Sequence, residues 1–197
     1  MEKELKPEES IKIIQQMIKA SQQQYADNGI YMIIWAIVLI LASIVNYFLL
    51  TINLDGHILN QWINITWTSS LVLGGIISFI VGIRQSKKEI ITTHIGNLLK
   101  YMWIGFVVVL SFTILFSALN KNSPIPFILI LTAFAIYIFA LGIKYSPFIL
   151  GSVCVLILGV IAFWVNYSTQ LLAFGFAILL GYLIPGIMLY RKYNAVK

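Results

Sequence analysis

Six uninterrupted apolar runs constrain this chain more than any other feature of its sequence. They cover residues 30–51, 62–83, 101–119, 126–143, 148–166 and 170–190. A helix of about 20 residues, rising 1.5 Å per residue, crosses a hydrocarbon core of about 30 Å. Inside lipid the backbone must satisfy its own hydrogen bonds, and these runs lack the alternation that marks a barrel strand. The sequence therefore predicts an all-α, polytopic integral membrane protein with six transmembrane helices.

Polar segments divide the chain into three parts. Residues 1–29 are a polar arm without the apolar centre of a signal peptide. Residues 30–190 hold the six predicted transmembrane helices, and residues 191–197 are a short basic tail. The run Asp27-Asn28-Gly29 is predicted to cap the start of the first transmembrane helix.

Lys and Arg residues fall almost entirely on one side of the predicted membrane. If the N-terminus is cytoplasmic, Lys121 is the only one of the 13 basic residues left outside. Cytoplasmic loops of membrane proteins carry an excess of Lys and Arg. The sequence therefore predicts a multi-pass protein of the cell inner membrane, with both termini in the cytoplasm.

Ionisable groups suited to chemistry are missing from the predicted membrane interior. None of the 7 acidic residues or 2 histidines lies within the six runs, and the lone Cys154 offers no disulfide or metal-ligand set. Proton relays and membrane enzymes usually carry an ionisable group at depth. The basic residues flank apolar runs instead of forming a soluble patch for nucleic acid. We therefore expect no enzyme, no catalytic residue, no cofactor, no metal and no nucleic-acid partner.

Small residues recur every four positions on two of the predicted helices. The two series are Ser70, Gly74, Ser78 and Gly82 on the second helix, and Ala173, Ala177 and Gly181 on the sixth. Such spacing lets two helices approach closely. The series predict helix-packing faces, either between helices of one chain or between copies in a homo-oligomer.

Pro185 is the one clear irregularity within the predicted spans. Proline lacks a backbone donor and clashes with the carbonyl four residues earlier, here that of Gly181. A helix kink is therefore predicted in the cytoplasmic half of the sixth helix. Broken helices form binding sites in transporters, yet prolines are also tolerated as packed kinks, and both interpretations stay open.

The polar arm carries an apolar stripe with the spacing of a helix. The stripe consists of Ile11, Ile14, Ile18 and Tyr25, with Ser21 in the same register. This pattern predicts an amphipathic cytoplasmic helix. Because acidic and basic residues balance along the arm, docking onto a protein is favoured over lying on anionic lipid.

Several segments resemble an uncharacterised family of small multipass, six-helix inner-membrane proteins of Bacteroidota. The resemblance rests on residues 142–151, 167–172 and 181–186, and on the stretches 6–10 and 101–106. The chain departs from that family at Ser146, where Arg is usual, and near Leu156, where Trp is usual. The resemblance implies location and fold, not an activity.

Two functional interpretations follow from these patterns. The first is a non-catalytic membrane module that senses or scaffolds, using the arm to bind a cytoplasmic protein partner. The alternative is a small-solute transporter or channel that acts as an oligomer, with its path near Pro185. In both, the lipid bilayer is the surrounding partner.

Overall fold

The structure, a computed structural model, describes the backbone of residues 7–52, 55–86 and 94–194. It describes the side chains of residues 29–52, 55–84 and 96–192. The elements are α1 (Pro7–Thr51), α2 (Gly56–Ser86), α3 (His94–Leu119), α4 (Ile125–Ile143), α5 (Ser146–Ile161), a 3-10 turn (Ala162–Trp164), α6 (Tyr167–Ile178), a π-helical turn (Leu179–Leu183) and α7 (Ile184–Asn194).

Six helical segments in the described ranges are long and apolar enough to cross a membrane. They are Gly29–Thr51, Gly56–Arg84, Gly96–Leu119, Ile125–Ile143, Ser146–Trp164 and Tyr167–Lys192. The last of them joins α6, the π-helical turn and α7. Each segment overlaps one predicted apolar run, so the prediction of an all-α fold with six membrane-spanning helices is confirmed. The arrangement is consistent with a multipass membrane protein.

The first helix passes through the position where the sequence predicts a cap. α1 is continuous over 45 residues from Pro7 to Thr51, so Asp27-Asn28-Gly29 does not end or begin a helix. Gly29 serves another purpose: a methyl group added there would lie 3.1 Å from the carbonyl oxygen of Gly186. Glycine in a helix costs roughly 0.5–1 kcal/mol, and close packing of α1 on α7 offsets that cost here.

The predicted amphipathic face of the arm lies outside the described side chains. The backbone of α1 is helical there, but the side chains of the predicted partner-docking residues are not among those described. These residues are Ile11, Ile14, Ile18 and Tyr25.

The six spans form a compact core with two peripheral helices. The α6–α7 segment packs against α1, α4 and α5, and α4 packs against α5, whereas α2 packs mainly on α1 and α3 mainly on α4. Half of the α4 span is buried (50%), against 11% of the α2 span and 6% of the α3 span. Most of the surface of α2 and α3 therefore faces the surroundings of the bundle, where exposed apolar side chains suit lipid.

A tight antiparallel hairpin joins α4 to α5. Lys144 adopts the left-handed conformation (φ 52°) at the end of α4, and its N–H caps the carbonyls of Ala140 and Leu141. Pro147 lies in the first turn of α5, where its fixed φ favours helix initiation. The turn brings Phe139 and Phe148 together edge to face, with ring centroids 5.2 Å apart.

The two ends of the bundle differ in charge. Gly29 lies against the backbone of Tyr190, and Leu99 lies against Gly142. The Lys192 ammonium lies over the Tyr145 ring, so the corresponding ends of α1, α3, α4 and α7 lie at one end of the bundle. We call this end the basic face and the other end the opposite face. Among the described side chains, the Lys and Arg residues of the basic face are Arg84, Lys100, Lys144, Arg191 and Lys192. On the opposite face, the described charged side chains are Asp55 and Lys121.

Candidate functional site

The membrane interior of the described bundle holds neutral polar groups instead of charges. The described Lys, Arg, Asp and His side chains all lie at or near span ends. No group of three His, Cys, Asp or Glu side chains comes together among the described residues. The candidate functional features of the described bundle are buried amides and hydroxyls, close helix contacts and surface grooves.

A polar layer lies inside the bundle toward the opposite face. The Ser43 hydroxyl of α1 donates to the carbonyl of Leu171 in α6, which sets these helices side by side at this depth. The buried side chain of Gln170 donates from Nε2 to the carbonyls of Ala162 (2.9 Å) and Val165 (3.1 Å). Gln170 thereby ties the start of α6 to the turn that follows α5.

Two amide oxygens in this layer have no hydrogen-bond donor in the structure. Asn46 is fully buried, and its Nδ2 donates to the carbonyl of Ala42 at 2.8 Å. Its Oδ1 is unpaired, as is Oε1 of Gln170. Buried polar atoms are usually paired with protein or water. Both atoms are acceptors, so the layer is suited to hold a water molecule or another neutral donor.

A groove of about 550 Å³ runs between α1 and α2. Its lining is Val38, Leu41, Ala42, Val45, Leu49, Trp62, Ile65, Thr66, Ser69, Ser70 and Leu73. The hydroxyls of Thr66 and Ser70 donate to carbonyls of their own helix at 2.8 Å and 2.6 Å, and that of Ser69 does so at 3.1 Å. Because these donors are already engaged, the groove suits apolar chains better than a polar solute.

The small-residue series on α2 lies against α1 of the same chain. A methyl group added at Gly74 would lie 2.9 Å from the ring of Trp35, and one at Gly82 would lie 3.2 Å from the Tyr31 hydroxyl. Ser70 is buried, and the Ser78 hydroxyl is buried without a partner in the structure. The structure thus brings this predicted series to an internal helix contact.

Gly74→Ala is expected to destabilise the protein relative to Gly75→Ala. The added methyl at Gly74 meets the Trp35 ring, whereas Gly75 has nothing within 4 Å. Overpacking costs typically 1–3 kcal/mol, but a ring at a helix surface can shift, so we expect about 1 kcal/mol. Thermal unfolding in detergent measures the difference between these adjacent glycines. Equal melting of the two variants would show that Gly74 does not pack on α1.

The series on the sixth span lies deeper in the core. Ala177 is fully buried, Ala173 is partly buried, and Gly181 is enclosed between helices α4 and α5. A methyl group added at Gly181 would collide with Cγ2 of Val155 and lie 3.1 Å from Cδ1 of Ile136. All three residues therefore serve contacts within the chain.

Gly151 on α5 faces Gly181 directly. A methyl group added at Gly151 would lie 2.9 Å from the carbonyl oxygen of Leu180 and 3.1 Å from the Cα of Gly181. The two helices therefore meet backbone to backbone, the approach that small residues permit. Sequence reasoning missed the packing contacts of Gly151 and Gly29 because each glycine lies outside any series of small residues spaced four apart.

A π-helical turn precedes Pro185 in the sixth span. The Ile184 N–H donates to the carbonyl of Leu179, five residues earlier. In an α-helix the Ile184 N–H would donate to the Leu180 carbonyl, but here it is bonded to Leu179. In a π-helix the donor to the Leu180 carbonyl would be residue 185, which is a proline and has no N–H. The sequence pointed to the Gly181 carbonyl. The wider turn leaves the Leu180 carbonyl, which lies against Gly151, without an α-helical or π-helical donor as well.

Gln170 is a further residue that sequence reasoning did not single out. Its only signal is a long polar side chain in the first turn after Asn166, which caps α6 by accepting from the N–H of Thr169 at 3.0 Å. A polar residue so close to a span end is easily taken for part of the loop.

Searches for a matching family model, a curated relative or a similar solved structure find none for this chain.

Proposed function

We propose that this chain is a non-catalytic integral membrane protein that anchors and positions a protein partner bound to its arm, of which residues 7–28 belong to α1. The observation that carries the proposal is the continuity of α1 from Pro7 to Thr51. At 1.5 Å per residue, the part of α1 before Gly29 measures about 33 Å. An unbroken helix transmits the position of its membrane-embedded half to whatever is bound along the other half.

The contacts of α1 support a scaffolding role. Its membrane-spanning half packs against three other helices of the bundle, α2, α6 and α7. Gly29 and Gly186 lie in close contact at the point where α1 leaves the predicted membrane. A partner held on the arm is therefore oriented by the helices on which α1 packs. A sensing role follows from the same geometry, since a shift of α1 within the core displaces the arm.

The interior of the bundle offers less support for transport. The described hydroxyls of Ser43, Ser70 and Ser152 donate to backbone carbonyls, and the core carries no charge at depth. One observation favours a small-solute carrier as a second candidate. The Leu180 carbonyl, within the π-helical turn, lacks an α-helical or π-helical donor and lies against Gly151. Broken or irregular helices form solute sites in transporters.

We place the chain in a bacterial inner membrane with both termini in the cytoplasm. The basic face carries five of the described Lys and Arg side chains and the opposite face carries Lys121. This asymmetry supports a cytoplasmic basic face under the positive-inside rule. The arm extends from that face and would meet a cytoplasmic partner there.

Photo-crosslinking along the arm tests the proposal. A crosslinkable residue at Ile14 or Ile18 is expected to give one discrete protein adduct in cells of the source organism. The same residue at Gln16 or Gln23, on the opposite side of a helix, is expected to give none. With the crosslinkable residue at Ile11, on the same stripe, Ile14→Glu with Ile18→Glu should abolish the adduct and leave the membrane bundle folded, because charge disrupts an apolar contact face.

The matched control is Gln16→Glu with Gln23→Glu, which adds the same charge on the other face. Adducts of equal strength from both faces would contradict a specific docking surface. Unfolding of the bundle in detergent by the Ile14 and Ile18 changes would show that the arm is a structural part of the core, and the docking proposal would fail.

A further inference from the structure

We propose that Lys100 and Lys144 on the basic face form a binding site for the phosphate headgroup of an anionic phospholipid. This site goes beyond the proposed scaffolding function and does not depend on the arm. It uses residues of α3 and of the α4–α5 turn.

The packing of α3 on α4 brings the two lysines to neighbouring positions. The side chain of Leu99 lies 3.1 Å from where a methyl group on Gly142 would stand. Lys100 directly follows Leu99, and Lys144 follows Gly142 by two residues. Both lysine side chains are exposed. The Trp103 ring, which packs near Phe139 at 6.2 Å, holds the two helices together beneath them.

The charge around this pair favours an anion. The Lys192 ammonium lies over the ring of Tyr145, the residue after Lys144, at 5.2 Å from the ring centroid. Among the described side chains, the one carboxylate belongs to Asp55 on the opposite face. Lys100 and Lys144 therefore form no ion pair with a described side chain. Each lysine close to an anionic surface contributes about 1 kcal/mol, or about a fivefold change in binding.

The surroundings identify the anion as a lipid headgroup and not a soluble phosphate. Tyr101, next to Lys100, is 69% exposed, and exposed Tyr side chains are typical of the headgroup level of a membrane. Exposed apolar side chains of Leu98, Ile104 and Leu141 lie near the two lysines. Acyl chains can cover these groups while the lysines hold the phosphate.

The chain offers a matched control for the lysine of the α4–α5 turn. Lys121 also adopts the left-handed conformation (φ 54°), but on the opposite face. Glycine is favoured in this conformation, so Lys144→Gly and Lys121→Gly relieve the same backbone strain and should both fold. The two variants lose the same charge at opposite ends of the bundle.

The test uses the full chain purified in neutral detergent, with dioleoyl phosphatidylglycerol or dioleoyl phosphatidylcholine added. Native mass spectrometry counts the lipids retained, and thermal unfolding measures the stabilisation. We expect the wild-type chain to retain phosphatidylglycerol preferentially. Lys100→Gln and Lys144→Gly should each weaken that retention about fivefold, and Lys121→Gly should leave it unchanged.

Three results would overturn the proposal. The first is equal retention of the two lipids by the wild-type chain, and the second is an equal loss in Lys121→Gly and Lys144→Gly. The third is stabilisation by inorganic phosphate that matches the effect of phosphatidylglycerol, because the site would then bind a soluble anion. If the Lys100 variant fails to fold, Lys144→Gly and Lys121→Gly alone decide the outcome.

Discussion

Gly181→Ala is expected to lower the free energy of unfolding by about 2–3 kcal/mol, a large effect for one methyl group. The added methyl collides with Cγ2 of Val155 and crowds Cδ1 of Ile136 at 3.1 Å. Val155 and Ile136 are both fully buried, so neither side chain can move into lipid. Unfolding of the purified chain in detergent, by heat or by a denaturing detergent, measures the loss.

A second substitution distinguishes the obstacle at Gly181 from that at Gly151. Val155→Ala removes the colliding methyl and is expected to restore part of the stability lost in Gly181→Ala. The same change should not rescue Gly151→Ala, because the added methyl there meets the Leu180 carbonyl at 2.9 Å, and the backbone cannot be trimmed. Contacting residues show such coupling energies of 0.5–3 kcal/mol in double-mutant cycles.

Gly105→Ala is the control for both substitutions. Nothing lies within 4 Å of a methyl group added at Gly105 on α3. Replacing a helical glycine in open space is expected to stabilise the helix by roughly 0.5–1 kcal/mol. If Gly181→Ala proved as stable as Gly105→Ala, the close crossing of α5 and the sixth span would be wrong.

Gln170→Leu is expected to destabilise the protein by about 1–3 kcal/mol, since it removes a buried donor that serves two carbonyls. Nε2 of Gln170 bonds the carbonyls of Ala162 and Val165, and Ala162 is fully buried. Loss of the donor leaves the Ala162 carbonyl without its side-chain partner. The amide oxygen of Gln170 has no donor in the structure, so its removal should contribute little. Thermal unfolding in detergent provides the measurement.

Gln170→Glu is the comparison that isolates the donor, and Asn166→Asp, one turn earlier, is the control. Asp retains the side-chain oxygen that accepts from the N–H of Thr169, so the cap of α6 is kept and stability should change little. Gln170→Glu keeps an acceptor but loses the donor, and it should be at least as destabilising as Gln170→Leu. A Glu variant with wild-type stability would show that the bonds to Ala162 and Val165 contribute nothing.

The number of membrane spans was predictable because each depends on a local property. An apolar run of sufficient length forms a helix in lipid regardless of what it packs against. The same local reasoning was wrong at Asp27-Asn28-Gly29, where turn-forming residues predicted a cap and α1 continues. The reason lies in the tertiary structure, because Gly29 packs against Gly186 where two helices cross. The sequence alone does not distinguish a glycine at a helix crossing from a glycine at a helix cap.

The sequence by itself determined the spans, the stripes of small residues and the asymmetry of charge, since each is a pattern of neighbouring residues along one helix. Only the tertiary structure decided which faces meet. Gly74 lies against Trp35, and Gly151 lies against Gly181. The sequence around each glycine does not predict which residue it contacts. Helices in a membrane associate through close packing instead of a hydrophobic driving force. The partner of each face therefore depends on shape across the whole bundle.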